Sequence, residues 1–132
     1  MPNKQQEYER QRYLRRKKDP YYREMWRQKD RRKKQKRYFK FAAGTLRYKY
    51  RISITAWDLW KIAKRQRLLC PLTGRYLTRK NISVDHIIPL SNGGTNNLSN
   101  LRFIDYHANL AKAMFSDEDL FNLAKDIVAT GA

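Results

Sequence analysis

The sequence predicts an α+β fold in which a small β-β-α unit is flanked by helices and extended by a basic helical N-terminal arm. Three observations lead to this prediction. Two short apolar segments, near residues 82–86 and 101–104, are separated by a loop rich in Asn and Gly and followed by a helical pattern. Two further helical patterns, each opened by a capping residue, lie on either side of that unit. The first 51 residues hold most of the positive charge.

The N-terminal arm is defined by its charge. Residues 1–51 contain twenty Lys or Arg and five acidic residues, net +15, whereas residues 52–132 contain ten and seven, net +3. Charge of one sign concentrated in one part of a small protein is typical of polyanion binding, and nucleic acid is the obvious polyanion. The alternative is a solvated charge run that aids solubility or acts as a targeting signal. We therefore predict a basic DNA-binding arm, residues 1–51, and a second domain, residues 52–132.

Within the arm, Asp19-Pro20 separates two predicted helices of high charge, at about residues 5–18 and 21–38. The second helix has an apolar cluster, formed by Tyr22, Met25 and Trp26. From residue 47 to 55 the pattern changes to strict alternation of apolar and polar residues, which predicts a half-buried strand. Its outer face would be a basic stripe, made of Arg47, Lys49 and Arg51.

Flanking helices supply the predicted core. Thr55 with Asp58 three residues later is a capping box, which predicts a helix to about Leu69. Its inward side is apolar: Leu59, Trp60, Ala63 and Leu68, with Trp57 beside them. Ser116, followed by three acidic residues, predicts the start of a last helix. The last helix has its own apolar stripe, which we also expect to be core: Leu120, Leu123, Ala124, Ile127 and Val128.

The β-β-α unit holds the residues with a chemical use. Asp85 and His86 end the first strand, Asn100 precedes the second, and Asn109 and Lys112 lie three apart on the following helix. Phosphodiester hydrolysis needs a base to activate water and a cation near the leaving oxygen, and His86 and Asp85 supply such groups. Taken singly, these residues also suit turns or a solvated helix face. Their joint spacing is what favours a site.

This constellation resembles the active site of HNH endonucleases, closely over about residues 69–112 and more loosely to Val128. The resemblance implies the ββα-metal fold, also called the His-Me finger. It implies that His86 is the general base, that Asp85 and Asn109 bind Mg²⁺, with Mn²⁺ as a substitute, and that Asn100 fixes the long loop. His107 is a weaker metal candidate, because it lies about 200° around the helix from Asn109.

The sequence departs from many members of that family at a second site. Those relatives hold a structural zinc with two cysteine pairs, and the matching positions here are Cys70, Thr73, Asp105 and Ala108. A single cysteine makes neither a closed zinc site nor an intramolecular disulfide. We therefore expect no structural zinc, with Cys70 a small buried hydrophobe.

The expected function is metal-dependent cleavage of double-stranded DNA, either by nicking or by double-strand cleavage, by a monomer or a DNA-assembled dimer. Homing and phage DNA processing are the expected roles, as in phage, intron or mobile-element enzymes. Two alternatives stay open: a non-enzymatic nucleic-acid-binding protein on a degenerate nuclease scaffold, and a nuclease acting on RNA or branched DNA. With no membrane span or apolar secretory segment, we expect a soluble intracellular protein, as in phage-infected bacterial cytoplasm or an organelle. The residues expected to contact DNA are basic: Arg31, Arg32, Lys33, Lys34, Arg37, Arg47, Lys49, Arg51 and Lys112.

Overall fold

The computed structural model describes residues 1–131, except for the side chain of Trp26. It is α+β, mostly helical, with one small antiparallel sheet. The chain divides into two compact units, Met1–Arg37 and Tyr38–Ala132. The elements are α1 Lys4–Lys18, α2 Pro20–Tyr50, α3 Ala56–Arg65, β1 Ile82–His86, β2 Leu101–Asp105, α4 Tyr106–Lys112 and α5 Asp117–Ala129.

The first unit consists of α1 and the first part of α2. Asn3 and Gln6 form a capping box that begins α1, and no residue of this helix is buried. The two predicted helices of the arm are both present, although the second is longer than predicted. Lys34 and Asp30, one turn apart on α2, form an ion pair of 2.7 Å. The predicted apolar cluster includes Trp26, whose side chain lies outside the described part of the structure.

The strand predicted for residues 47–55 is wrong, because α2 continues through Tyr50. Buried residues recur at helical spacing just before this segment: Phe39, Ala43 and Leu46. Their burial stabilises the helix, although the alternation that follows is typical of a strand. Arg51, with φ of 55°, then ends the helix in the left-handed region.

The core of the second unit lies where the last part of α2, α3 and the sheet meet. Thr55 and Asp58 form the predicted capping box of α3. The helix ends before the predicted Leu69, because Arg67 and Leu68 both adopt a φ of 53°. The prediction that Trp57 joins the core is wrong, since this residue is 64% exposed. The buried hydrophobic residues are Phe39, Ala42, Ala43, Leu46, Ile54, Leu59, Ile62, Ala63, Cys70, Leu77, Leu101, Phe103 and Ile104.

The sheet places the end of β1 beside the beginning of β2. Its register pairs Asp85 with Arg102 and His86 with Leu101. The connection between the strands includes two short 3₁₀ turns, Leu90–Asn92 and Leu98–Asn100. Helix α4 follows β2 directly and packs on both strands. The predicted order of strand, loop, strand and helix is therefore present.

The prediction that the apolar stripe of α5 is core is wrong. Ser116 caps the helix as predicted, but no residue of α5 is buried, and Val128 is 74% exposed. Helix α5 packs on α4, which has 7 residues against the 13 of α5. At a rise of about 1.5 Å per residue, α4 is too short to cover the stripe.

Among the residues that the structure describes, no helix combines the length and apolarity that crossing a lipid bilayer requires.

Candidate active site

Helix α4 brings its polar residues against the end of β1. The Asn109 Nδ2 atom donates to the Ser83 Oγ atom at 3.2 Å and to the Val84 carbonyl at 3.3 Å. Lys112 reaches Asp85 one turn further along the helix, at 2.9 Å. The structure thus places Lys112 in contact with Asp85, and Asn109 in contact with the two residues that precede Asp85.

Asp85 lies within a network of four charged side chains. The residue is 6% exposed, and its Oδ2 atom accepts from both Arg102 Nε and Lys112 Nζ at 2.9 Å. Arg102 also binds Asp117 through two parallel hydrogen bonds of 2.8 and 2.6 Å. Such a paired geometry fixes the guanidinium in both position and orientation. Asp117 is the first residue of α5, so the network joins the sheet to two helices.

Two members of the network, Arg102 and Asp117, have shifted pKa values. The Arg102 guanidinium, through its hydrogen bonds, lowers the pKa of the Asp117 carboxyl below its usual value. Burial lowers the pKa of Arg102, but its bonds to Asp117 and Asp85 outweigh burial and raise the pKa overall. Both members of the Arg102–Asp117 pair are therefore charged at neutral pH.

Lys112 is fully buried, at 0% exposure. Its ammonium donates to Asp85 and to the carbonyls of His86 and Ile87, at 2.9, 2.7 and 3.0 Å. Those three bonds use its full donor capacity. This placement does not suit the predicted contact of Lys112 with DNA, because the ammonium is committed inside the protein.

His86 is held on two sides. Its Nε2 atom lies 2.8 Å from the Oδ1 atom of Asn96, and the Tyr50 ring packs edge to face at a centroid distance of 5.1 Å. An amide oxygen accepts hydrogen bonds, so this contact favours the tautomer with its proton on Nε2. The Nδ1 atom then carries the lone pair that a general base needs.

Asn100 ties down the loop that follows His86. It is 8% exposed, donates to the carbonyls of Ile88 and Thr95 at 3.0 and 2.7 Å, and accepts from the Ile88 N–H at 2.9 Å. These are the contacts that a loop-fixing role requires. Gly94 lies in the same loop, and a Cβ atom there would overlap the Ile88 carbonyl. The loop is therefore closely packed on its own backbone.

The positions that match the zinc cysteines of relatives also meet in space, and hydrogen bonds join them. The Cys70 Sγ atom accepts from the Asp105 N–H at 3.3 Å. Burial raises the pKa of the Cys70 thiol, but hydrogen bonds from Thr73 and Asp105 outweigh burial and leave the pKa below its usual value. The Asp105 carboxylate in turn accepts from Asn81 and from the His107 N–H, each at 2.9 Å. These bonds join the strand end to the start of α4.

His107 lies away from Asp85. Its side chain is 79% exposed, and its Nδ1 atom is 3.6 Å from the Asp105 carboxylate. Asp105 pairs with Ile82 at the other end of the sheet from the Asp85–Arg102 pair. The structure thus places Asn109, and not His107, in contact with the residue that precedes Asp85.

Oxygen atoms dominate the ligands that this site offers a cation. Asp85 has a carboxylate, and Asn109, whose Nδ2 atom donates to the protein, also has an amide oxygen, Oδ1. Two such ligands suit Mg²⁺, which keeps several waters and shares phosphate oxygens. In the described part of the chain, no group of three or more His, Cys, Asp or Glu side chains is arranged to hold a metal. The absence of structural zinc stays a prediction.

The other residues expected to bind DNA lie on or just after α2. Those in the first unit are all exposed: Arg31, Arg32, Lys33, Lys34 and Arg37. Those in the second unit are also exposed: Arg47, Lys49 and Arg51. Arg47 in addition donates to the Ile54 carbonyl at 2.7 Å.

Sequence reasoning missed four residues of this site: Tyr50, Asn96, Arg102 and Asp117. Arg102 stands directly opposite Asp85 in the sheet, so a correct register would have identified it as a cross-strand ion pair. In the sequence alone, Asp117 indicates only an acidic residue at a helix start. Tyr50 and Asn96 have no signal in the sequence that points to His86.

Residues 69–112, one third of the chain, match the HNH endonuclease family. This match confirms the resemblance inferred from the motif, over the same residues. No curated protein matches the chain. The family match indicates nuclease activity on nucleic acids.

Proposed function

We propose that this protein is a metal-dependent HNH endonuclease that hydrolyses phosphodiester bonds of double-stranded DNA. The observation that supports it best is that Asn109 on α4 contacts the carbonyl of Val84, which directly precedes Asp85 and His86 in β1. A base, a carboxylate and an amide oxygen are then within one small region, as metal-assisted hydrolysis requires.

In the proposed mechanism, His86 takes a proton from the attacking water through its Nδ1 atom. Asn96 holds the Nε2 proton, and Tyr50 packs against the ring, so the imidazole keeps one orientation. Asn100 fixes the loop that begins at Ile87, and so keeps His86 in place. We assign His86 as the catalytic residue and Asn100, Asn96 and Tyr50 as positioning residues.

Asp85 and Asn109 would hold the divalent cation, Mg²⁺ or Mn²⁺. When bound, the cation would stabilise negative charge on the phosphate and on the leaving oxygen. Arg102 supports Asp85 by donating to one of its oxygens, at 2.9 Å, while its other nitrogen atoms bind Asp117. The carboxylate is thereby fixed before any ligand arrives, because a hydrogen bond from behind a metal ligand sets the direction in which that ligand points.

We further propose that residues 1–51 bind the DNA backbone and that residues 52–132 form the nuclease domain. The exposed basic residues of α2 would contact phosphates, which supplies affinity and little sequence information. Residues 39–46 have a second role, because their apolar side is part of the core. We propose homing or phage DNA processing as the biological role, since a small nuclease with a basic arm suits both.

The metal assignment can be tested on supercoiled plasmid. Full-length protein should convert it to the nicked form with Mg²⁺ or Mn²⁺ and not with EDTA. Asp85→Ala and Asn109→Ala should each raise the Mg²⁺ concentration needed for half-maximal cleavage by about tenfold or more. His107→Ala is the matched control, on the same helix as Asn109, and should change it little. A larger defect in His107→Ala than in Asn109→Ala would refute the choice of ligand.

A further inference from the structure

The carboxylate proposed to hold the metal already has two protein cations on it. Lys112 Nζ and Arg102 Nε both lie 2.9 Å from the same oxygen of Asp85. Asp117 completes the group, with its Oδ1 atom 2.6 Å from Arg102 and 3.7 Å from Lys112. Two carboxylates face two cations, so the fixed charge of the four side chains sums to zero.

The two cations that neutralise Asp85 are largely buried. Lys112 is 0% exposed and Arg102 has 11% of its side chain exposed. The Lys112 ammonium also binds the carbonyls of His86 and Ile87, at the end of β1. Because these cations are largely removed from water, breaking their contacts with Asp85 would leave buried charges unpaired, which is costly.

A site of zero net charge attracts a divalent cation from solution more weakly than a negatively charged site does, because the two protein cations offset the two carboxylates. A phosphate group brings the negative charge that is missing. The cation and the phosphate should therefore bind better together than either does alone. By thermodynamic linkage, the cation then tightens nucleic-acid binding by the same factor.

We propose that Lys112, Arg102 and Asp117 are positioning residues that hold the charge of the site near zero, so that Asp85 binds a divalent cation tightly only when nucleic-acid phosphate is present. This inference rests on the proposed function, and it concerns the control of the same site. It makes the metal part of the enzyme–substrate complex and not a resident ion of the free protein.

If these residues control the charge of the site, variants that change that charge in opposite directions should change the metal affinity in opposite directions. Lys112→Met changes the charge of the group to −1 and should tighten metal binding to the free protein by about tenfold. Asp117→Asn changes it to +1 and should weaken metal binding by a similar factor. If the residues only hold the fold together, both variants should weaken binding. Glu118→Gln is the control for Asp117→Asn, because it makes the same change of charge at the neighbouring position.

The experiment measures Mn²⁺ binding by the loss of the free-ion electron paramagnetic resonance signal. Full-length His86→Ala protein is used throughout, so that a mixed-sequence DNA duplex stays intact. Mn²⁺ held by the DNA itself is subtracted with Asp85→Ala protein carrying the same duplex. We expect the duplex to lower the Mn²⁺ dissociation constant by about tenfold or more, and Glu118→Gln to bind within about twofold of the parent.

Equal Mn²⁺ affinity with and without duplex would overturn the inference, as would weakening by both Lys112→Met and Asp117→Asn. If Lys112→Met fails to fold, Arg102→Gln replaces it, because it also changes the charge of the group to −1. Weaker Mn²⁺ binding by that variant, or an Asp117→Asn affinity equal to that of Glu118→Gln, overturns the inference. Plasmid nicking by wild-type protein with Mg²⁺ is measured in parallel. If nicking depends on Asp85 while the charge effects fail, only this inference falls. If neither nicking nor an Asp85-dependent Mn²⁺ site is found, the proposed function falls with it.

Discussion

Replacing Asn100 with alanine should destabilise the protein and slow cleavage together. The side chain makes three hydrogen bonds to the backbone of Ile88 and Thr95, all between 2.7 and 3.0 Å. A typical hydrogen bond contributes about 1 kcal/mol, and a buried group left without a partner costs about 1–3 kcal/mol. We therefore expect a loss of about 3 kcal/mol in the free energy of unfolding, a large part of the roughly 5–15 kcal/mol typical of a domain.

Urea denaturation measures the loss in Asn100→Ala, and plasmid nicking at a temperature where the variant is folded measures the rate. Asn100→Asp keeps the oxygen that accepts from Ile88 but turns a second oxygen toward two carbonyls, so it should be no more stable than Asn100→Ala. Asn97→Ala, at an exposed position in the same turn, is the control and should cost less than about 0.5 kcal/mol. An Asn100→Ala variant with normal stability and rate would refute the loop-fixing role.

Three further predictions follow from other parts of the molecule. Gly94→Ala should lower the free energy of unfolding by about 1–3 kcal/mol in urea denaturation, because its Cβ overlaps a carbonyl. Gly44→Ala, whose Cβ lies 3.9 Å from the nearest atom, should raise that free energy by about 0.5–1 kcal/mol through helix propensity. Equal effects of the two variants would contradict this prediction. Burial raises the pKa of Asp105, but hydrogen bonds from Asn81 and two N–H groups outweigh burial and lower the pKa overall. The ionised carboxylate therefore stabilises the folded protein above about pH 4, and this stabilisation is lost as the pH falls further. Unfolding measured against pH should thus show a smaller loss below about pH 4 for Asp105→Asn than for wild type, and an identical loss would count against it. Residues 1–37 carry a net charge of +11. Removing them should make the plot of log DNA affinity against log salt concentration less steep, by roughly 0.9 for each phosphate that is no longer bound. Equal slopes for the full and truncated proteins would exclude DNA binding by this segment.

The truncation point in the last prediction comes from the structure and not from composition. Charge changes near residue 51, but the compact unit that holds the core begins at Tyr38. Removing residues 1–46 would delete Phe39, Ala42, Ala43 and Leu46, all of which are buried. Composition shows where charge lies, whereas burial decides where a chain can be cut.

Helix starts are predictable because their signals are local. Thr55 with Asp58, and Ser116 with Asp119, form their capping hydrogen bonds within three residues, so the sequence alone contains both partners. The ends are less predictable. Helix α3 ends at Arg65, and positive φ follows at Arg67 and Leu68, which are not the glycines that usually mark such a conformation.

Hydrophobic periodicity gives a wrong prediction where helical and strand-like periods overlap, or where no other element covers an apolar face. Tyr48, Tyr50, Ile52 and Ile54 alternate like a strand, yet α2 continues to Tyr50 because the helical positions before it are buried. The stripe of α5 is amphipathic in the sequence, but it is not covered in the structure. Periodicity shows which face is apolar, but it does not show whether another element is long enough to cover that face.

Some residues of the candidate site could be predicted from the sequence, and others could not. Asp85 and Asn109 can be brought together from spacing, because a strand followed by an antiparallel strand and a helix returns to the same point. The Arg102–Asp117 pair cannot, since it depends on strand register and on where α5 begins. The charge of Lys112 and its place on α4 are visible in the sequence, but its burial depends on the packing of α4 against β1.

The role of His86 as the base of a hydrolytic site is tested most directly by one rate. Full-length wild type and His86→Ala are compared for nicking of supercoiled plasmid with saturating Mg²⁺ at low salt, with DNA affinity measured on the same samples. Loss of a general base should lower the rate by about a hundredfold or more. DNA affinity should change by less than about twofold, because the phosphate contacts are supplied elsewhere. Cleavage by His86→Ala at the wild-type rate would contradict the account.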